Sequence, residues 1–263
     1  MRLLKAHAFG NDFLLAKTHE AAALGDAAAL ARAVCARHSG LGGDGLMLID
    51  FHGTTASMRL LNADGSPSEI SGNGLRCLAA WMAFDGNLAL GTIVDVHTDA
   101  GMKRLELLAR EDARFTFRAA MGQPTSIDRI RLSAGGEIVD AVTLRVGNPQ
   151  CVVLGEVSEV RLRTVAAALA IHPHFPEGTN VELARVVSPD RVEILIWERG
   201  VGPTEASGTG ACAAAVAAHR FGGASRDVHV SSPGGTQRVE WLDEGLYLTG
   251  WAEIIADATW IRS

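Results

Sequence analysis

The sequence predicts an α+β fold built as two copies of one lobe, and three observations predict it. The segment Glu69-Ile-Ser-Gly-Asn-Gly-Leu-Arg-Cys77 is echoed by Glu205-Ala-Ser-Gly-Thr-Gly-Ala-Cys212, and each copy opens an Ala-rich run that ends in glycine. Other signposts repeat at nearly the same offset: Gly10-Asn11-Asp12 with Gly147-Asn148-Pro149, and the stretch around Gly42-Gly43-Asp44-Gly45-Leu46 with Gly178-Thr179-Asn180-Val181. Between them lie short alternating runs with β-branched residues and only a few helical patterns, the mixture expected of an α+β lobe.

Each copy of the repeat reads as strand or loop, Ser-Gly-x-Gly turn, helix, glycine stop, with the stops at Gly86 and Gly223. Helices are expected over 27–38, 75–84, 165–170 and 211–221. Strands are expected over 92–98, 114–118, 142–146 and 191–197, with a further strand-like run at Leu46-Met-Leu-Ile49. The expected division is an N-terminal lobe, 1–115, joined by a returning strand within 251–263, and a C-terminal lobe, 116–250.

The chain has 263 residues, enough for each lobe to bury a core of its own. Its 48% hydrophobic and 21% charged residues are ordinary for a folded soluble protein. A net charge of −6, with no Lys/Arg stripe, sets nucleic acid aside as a partner. No apolar run has the length of a signal peptide core or a membrane span, so a cytoplasmic protein with no membrane partner is expected. Cys35, Cys77, Cys151 and Cys212 form neither a C-x-x-C pair nor a regular framework, which fits reduced, buried thiols. His172-Pro-His174 offers two imidazoles without a third ligand and reads as a loop, and no metal is expected. Gly40-Leu-Gly-Gly-Asp-Gly45 leads into a strand, so it is no dinucleotide fingerprint, and no cofactor is expected.

A Ser-Gly-x-Gly turn opening a helix presents unpaired backbone N–H groups at the positive end of the helix dipole, a ready anion site. One such turn is as easily a packing device. Two of them, if a pseudo-twofold axis aimed both into one cleft, could hold one carboxylate between Ser71 and Ser207. Groups facing each other across a carbon are what two-base racemisation needs, one removing the α-proton and the other delivering a proton to the opposite face.

The ordered motifs Gly10-Asn-Asp-Phe13, Gly40 to Gly45, Asn62-Ala-Asp-Gly-Ser66, Ser71 to Cys77, Gly147-Asn-Pro149, Phe175-Pro-Glu-Gly-Thr-Asn-Val181, Trp197-Glu-Arg-Gly200 and Ser207-Gly-Thr-Gly-Ala211 together resemble the diaminopimelate epimerase family. The resemblance runs from residue 7 to about residue 250. It implies two pseudo-symmetric lobes, each a mixed β-sheet wrapped around a central helix, with the active site in the cleft between them. It also implies an isomerase that inverts the α-carbon of an amino acid without pyridoxal phosphate. The default substrate is LL- or meso-diaminopimelate, a precursor in lysine biosynthesis and peptidoglycan assembly. The small-molecule substrate is the implied partner, and self-association into a homodimer stays open. Asn11, Asn62, Asn148, Asn180 and Arg199 match substrate-binding positions, the turns Gly72-Asn73 and Gly208-Thr209 match carboxylate-holding ones, and Glu198 matches a carboxylate assisting proton transfer.

The sequence departs from the family at its centre. Ser71 and Ser207 stand where the family carries two cysteines, and Gln150 stands where a histidine normally follows Gly-Asn-Pro. A thiol titrates near ~8.5 and falls further at a helix N-terminus, whereas a serine hydroxyl is a far weaker acid. Each pK unit of that gap is worth about 1.4 kcal/mol. Glu198 is the carboxylate left from the usual pairing, with Glu69 and Glu205 close in sequence to the serines. Either the serines are deliberate replacements or the chain belongs to a natural branch, and Gln150 favours the branch. Three activities follow: an epimerase that uses Ser71, Ser207, Glu198 and Gln150; a sister racemase or dehydratase; and a catalytically silent amino-acid-binding protein.

Overall fold

The computed structural model describes residues 1–68, 72–98 and 101–261. The chain divides into two compact units, one formed by Met1–Ala119 with Gly250–Ser263 and the other by Ala120–Thr249. The divisions fall at 119/120 and 249/250, where the sequence expectation placed them at 115/116 and 250/251.

Unit 1 runs through β1 (Arg2–Ala8), β2 (Asn11–Lys17), α1 (Thr18–Ala22), α2 (Ala27–Cys35), β3 (Gly45–His52), β4 (Thr55–Asn62) and the short β5 (Pro67–Ser68). It continues with α3 (Gly72–Gly86), β6 (Ile93–Thr98), β7 (Gly101–Glu111) and β8 (Arg114–Gly122), whose last residues enter unit 2. Unit 2 then has β9 (Thr125–Ala134), β10 (Glu137–Val146), β11 (Asn148–Leu154), α4 (Glu159–Arg161), one π turn (Leu162–Ala166) and α5 (Ala167–Ala170). After these come β12 (Asn180–Ser188), β13 (Arg191–Glu198), β14 (Gly202–Thr204), α6 (Gly208–Gly222), β15 (Asp227–Ser232), β16 (Gly235–Leu242) and β17 (Gly245–Thr259), which leads back into unit 1.

The sequence repeat is a repeat of strand pairings. In unit 1, β1 pairs antiparallel with β2, β2 parallel with β3, and β3 antiparallel with β4. Strand β4 then takes β5 antiparallel and β6 parallel, and β6 is followed antiparallel by β7 and β8. In unit 2 the series β10, β11, β12, β13, β14, β15, β16 and β17 repeats every one of these pairings in the same sense. The two parallel steps in each unit are bridged by helices, as parallel strands require. The tight turns that open the series also match: Gly10 (φ 87°) precedes Asn11 and Gly147 (φ 78°) precedes Asn148, both in the left-handed region where glycine is unstrained.

Helices α3 and α6 are buried on nearly every side, from Asn73 to Ala83 and over Gly208, Gly210–Ala218 respectively. A helix apolar all round belongs inside a layer of sheet. In unit 2 the period-two alternation of strands sorts the core into two halves. Val152, Ala184, Ile194 and Ile196 pack on the alanines of α6. Cys151, Val153, Val181 and Leu183 pack on Leu162, Val165 and Leu169 of the other helical layer. In unit 1, Leu14, Ala16, Leu46, Leu48 and Leu61 likewise pack on Ala21, Leu30, Ala31 and Val34 of α1 and α2. The fold is the mixed-sheet α+β architecture that the sequence implied.

Several elements run a few residues beyond their expected bounds, and three ends differ for a visible local reason. Helix α2 stops at Cys35 rather than 38, because Leu41 and Gly42 N–H bond Val34 O (2.9 and 3.1 Å) and Gly43 N–H bonds Cys35 O (3.2 Å), using carbonyls a longer helix would need. The helical stretch expected at 165–170 begins at Glu159, where Ser158 accepts from Arg161 N–H (3.4 Å), and it widens into the π turn. The left-handed residue after α3 is Asn87 (φ 44°), so Gly86 is helical and the stop is one residue later; after α6 it is Gly223 (φ 79°), as expected. Among the described residues no helix is long and apolar enough to cross a membrane.

Candidate active site

The polar groups of unit 2 gather where α6 begins. Ser207 is the N-cap of α6, with extended backbone (φ −139°, ψ 128°) and a side chain that accepts from Gly210 N–H at 3.2 Å. It is 6% exposed. Capping of this kind satisfies one of the orphan donors at a helix start, and its loss typically costs about 1 kcal/mol. Gly208 packs closely here, since a Cβ would come 2.9 Å from Leu248 Cδ2 and the leucine would have to shift.

Strand register brings the other candidates beside this cap. Gln150 on β11 is paired with Asn180 on β12, and Val181 with Trp197 on β13, so Asn180 and Glu198 are the next pair along. Residues in register share a face. Gln150, Asn180 and Glu198 therefore form one row across three strands, on the side that packs on α6. Gln150, 1% exposed, donates from Nε2 to Asn148 Oδ1 (2.7 Å) and to Thr209 Oγ1 (3.1 Å), and Thr209 Oγ1 lies 3.5 Å from Ser207 Oγ. Asn148, Gln150, Thr209 and Ser207 are thus one chain of contacts. With both amide hydrogens engaged, Gln150 keeps Oε1 as a buried acceptor with no partner.

Asn180 Oδ1 accepts from Arg199 N–H at 2.9 Å, which fixes the turn after β13. The Arg199 guanidinium bonds Glu177 O (2.8 Å) and its stem lies over Gly178, where a Cβ would meet Cδ at 2.9 Å. Glu198 is the carboxyl of the row. Burial pushes its pKa up, and a hydrogen bond from Ser207 partly offsets this. A raised carboxyl next to a hydroxyl is an arrangement for passing a proton. Glu205, close in sequence to Ser207, is exposed and takes no part.

In unit 1, Asn11 donates from Nδ2 to Asp44 Oδ2 (2.7 Å) and accepts from Asn73 Nδ2 at 3.5 Å. Asn73 is buried and its Oδ1 accepts from Arg76, whose guanidinium also lies over the Phe9 ring at 5.4 Å. Gly72 is the first residue of α3, and a Cβ there would meet nothing nearer than Arg76 Nη1 at 4.0 Å. Asn62 ends β4 opposite Gly45 and donates to Ser66 Oγ at 2.9 Å. Asn11, Asn73 and Gly72 therefore come together at the start of α3. Ser71 and Glu69 lie outside the described residues. Behind this group Asp12 is ion-paired to Lys5 (3.1 Å) and Arg37 (2.8 Å). Burial alone would raise Asp12, but its two cations outweigh burial and hold it below the usual range.

The sequence residues of the unit 2 corner leave one carboxyl unmentioned. Glu182 on β12 is 0% exposed, and among the described residues neither of its oxygens has a hydrogen-bond partner. Its signal was present in the alternation of β12: residues 180, 182 and 184 share the face toward α6, and Asn180 had already been singled out.

A family of proteins described as diaminopimelate epimerase matches residues 3–127 and 142–255. The chain belongs to the diaminopimelate epimerase family. A diaminopimelate epimerase from Desulforudis audaxviator is 41% identical over 281 aligned residues, covering 100% of both chains. One from Heliobacterium modesticaldum is 36% identical over 95% of this chain and 96% of its own. Among solved structures, a predicted epimerase from Pseudomonas aeruginosa has the same fold, with a TM-score of 0.74 at 15% identity over 100% of this chain and 99% of its own. So does a hydroxyproline epimerase from Agrobacterium vitis, with a TM-score of 0.63 at 15% identity over 98% and 90%. As a member of the diaminopimelate epimerase family, this chain is an isomerase of the amino-acid epimerase type.

Proposed function

We propose that this epimerase inverts the α-carbon of diaminopimelate without pyridoxal phosphate, with Ser71 and Ser207 as its two proton-transfer positions. The observation that carries the reading is the contact between the Ser207 hydroxyl, at the N-cap of α6, and the half-buried Glu198 carboxylate. A hydroxyl cannot hold an appreciable alkoxide population near neutrality, so the proton must leave for a neighbouring base as Ser207 takes up the α-proton. Glu198 fills that place, and its raised pKa brings it nearer to neutrality than a free carboxylate. Gln150 orients the pair through Thr209. The N–H groups at the start of α6 would hold the substrate carboxylate and stabilise charge gathering on it as the carbanion forms. Asn11, Asn62, Gly72, Asn73, Asn148, Asn180, Arg199, Gly208 and Thr209 would form the polar cage, since amides and one guanidinium can read ammonium and carboxylate groups without competing for the α-proton. The relatives named for diaminopimelate support this substrate and, with it, a place in lysine biosynthesis. Four buried cysteines, none of them in a disulfide among the described residues, fit a reducing compartment such as the cytoplasm.

A second reading is favoured by Gln150, whose two amide hydrogens are engaged and which takes up no proton: a protein that binds the amino acid and leaves its α-proton alone. Proton NMR of LL-diaminopimelate in D₂O separates the two. The expected result is loss of the α-proton signal with the native chain, abolished by Ser207→Ala and accelerated by Ser71→Cys with Ser207→Cys. Binding without exchange by the native chain, restored by the two cysteines, would establish the second reading.

A further inference from the structure

Glu182 is a buried group for which the reaction just described has no use. It is on the face of β12 that packs on α6, opposite Val152 of β11 and Ile196 of β13. Its carboxyl lies flat against the start of α6, so close that a Cβ on Gly210 would be 2.6 Å from Glu182 Oε1 and 3.2 Å from Ser207 Cβ. Gly210 therefore lets one carboxyl approach both the helix and the proposed proton carrier. Among the described residues no hydrogen-bond partner meets either oxygen. Glu198 is the diagonal cross-strand neighbour of Glu182, within the reach of long side chains on one sheet face. Of the titratable groups on the packed elements, β13 carries Arg191, Glu193 and Glu198, β11 carries Cys151, and α6 carries Cys212 with His219 and Arg220 in its last turn; Glu198 is the one whose charge bears on Glu182.

We propose that Glu182 is a positioning residue for the Ser207–Glu198 pair: it stands against Gly210 as a neutral acid and leaves Glu198 as the sole bearer of negative charge in this corner. Two carboxylates without a cation between them do not both ionise in such a place. Glu198, less buried and hydrogen-bonded by Ser207, ionises first. Burial first, and then the charge on Glu198, push Glu182 well above the ordinary carboxyl range. The role rests on the proposed proton transfer through Ser207 and Glu198. Its consequence is an alkaline limit to that transfer: when Glu182 ionises, a second negative charge opposes both the ionised form of Glu198 and the binding of a carboxylate at the start of α6.

The test is a ¹³C NMR titration of the full chain labelled at glutamate Cδ, with Glu182→Asp to assign the Glu182 signal and Glu182→Gln to remove its titration. The expected result is a protonated Glu182 signal at neutral pH that titrates only on the alkaline side, accompanied by a second step in the Glu198 signal that Glu182→Gln abolishes. A Glu182 signal already ionised at neutral pH overturns the proposal, and so does a Glu198 signal that ignores Glu182; if the variants fail to fold, a native spectrum in which no glutamate signal is protonated at neutral pH overturns it equally. The α-proton exchange rate of diaminopimelate should fall at alkaline pH in the native chain and keep its plateau further in Glu182→Gln. An unmoved alkaline limb removes the positioning role. Absence of exchange at every pH would remove the epimerase reading, while the carboxyl titration would still stand or fall by itself.

Discussion

The two units repeat one set of strand pairings, and they differ in what surrounds the start of the enclosed helix. At α3 the polar groups are committed to each other: Asn11 to Asp44 and Asn73, Asn73 to Arg76, and Asp12 to Lys5 and Arg37. At α6 the groups keep unused capacity: Gln150 Oε1 and both Glu182 oxygens are buried without hydrogen-bond partners among the described residues, and the Glu198 pKa is raised. One corner is arranged to keep its charges fixed. The other is arranged to let a proton move. Topology alone therefore does not set chemistry; it provides two equivalent positions, and the residues in register across the strands decide which becomes titratable.

The comparison breaks most visibly on activity. Glu198→Gln should lower α-proton exchange on diaminopimelate by about 10²–10⁴ with little change in melting temperature. A variant that exchanges at the native rate would show that proton capacity at α6 is irrelevant. Next in size, Asp12→Asn should leave Lys5 and Arg37 without their shared carboxylate and destabilise the chain by about 1–3 kcal/mol in urea unfolding, reduced from the cost of a fully buried pair because Arg37 is half exposed. The helix starts can also be compared directly. Gly208→Ala must push Leu248 aside and should cost about 1–3 kcal/mol, whereas Gly72→Ala enters open space and should change stability by less than about 1 kcal/mol.

The smallest effect concerns pH. Glu198 has a raised pKa in the folded chain, so folding binds its proton more tightly than the unfolded chain does, and its contribution to stability falls as pH rises from the ordinary carboxyl value toward the raised one. Glu198→Gln should therefore gain stability relative to the native chain over that window and match it below. The acid limb of the exchange profile should lie higher than for a free carboxylate, because the group must be ionised to accept the Ser207 proton. A Glu198 variant whose stability tracks the native chain at every pH would mean that the carboxyl is not perturbed.

Much of this arrangement was legible in the sequence because it is carried by local signals. Ser-Gly-x-Gly before an alanine run announces a capped helix, and Gly10 and Gly147 announce the turns that open each series of strands. The row Gln150, Asn180, Glu198 was legible as three separate motifs, but their adjacency depends on strand register, a property of pairing between distant segments. Glu182 escaped for the opposite reason: a glutamate within Asn-Val-Glu-Leu looks like an outward residue of a half-exposed strand until a helix is known to cover that face. The early end of α2 was hidden too, since Arg37 leaves the helix for Asp12 and Asp44, which lie at the far ends of other motifs.

The buried residues of α6 are mostly alanine and glycine, from Gly208 and Gly210 through Ala211, Ala213, Ala214, Ala217 and Ala218, with Cys212 and Val216 among them, whereas α3 also buries Leu75, Leu78, Trp81 and Met82. A slender rod lets the surrounding strands close more tightly, so the thickness of α6 acts as a gauge for how near β11, β12 and β13 come to Ser207. Adding even a methyl group several turns along that rod would widen the wrap and lift the row away from the cap. The reach of the Ser207 hydroxyl is thus set by volume at a distance, in a part of the chain that carries no polar atom beyond its backbone and one thiol.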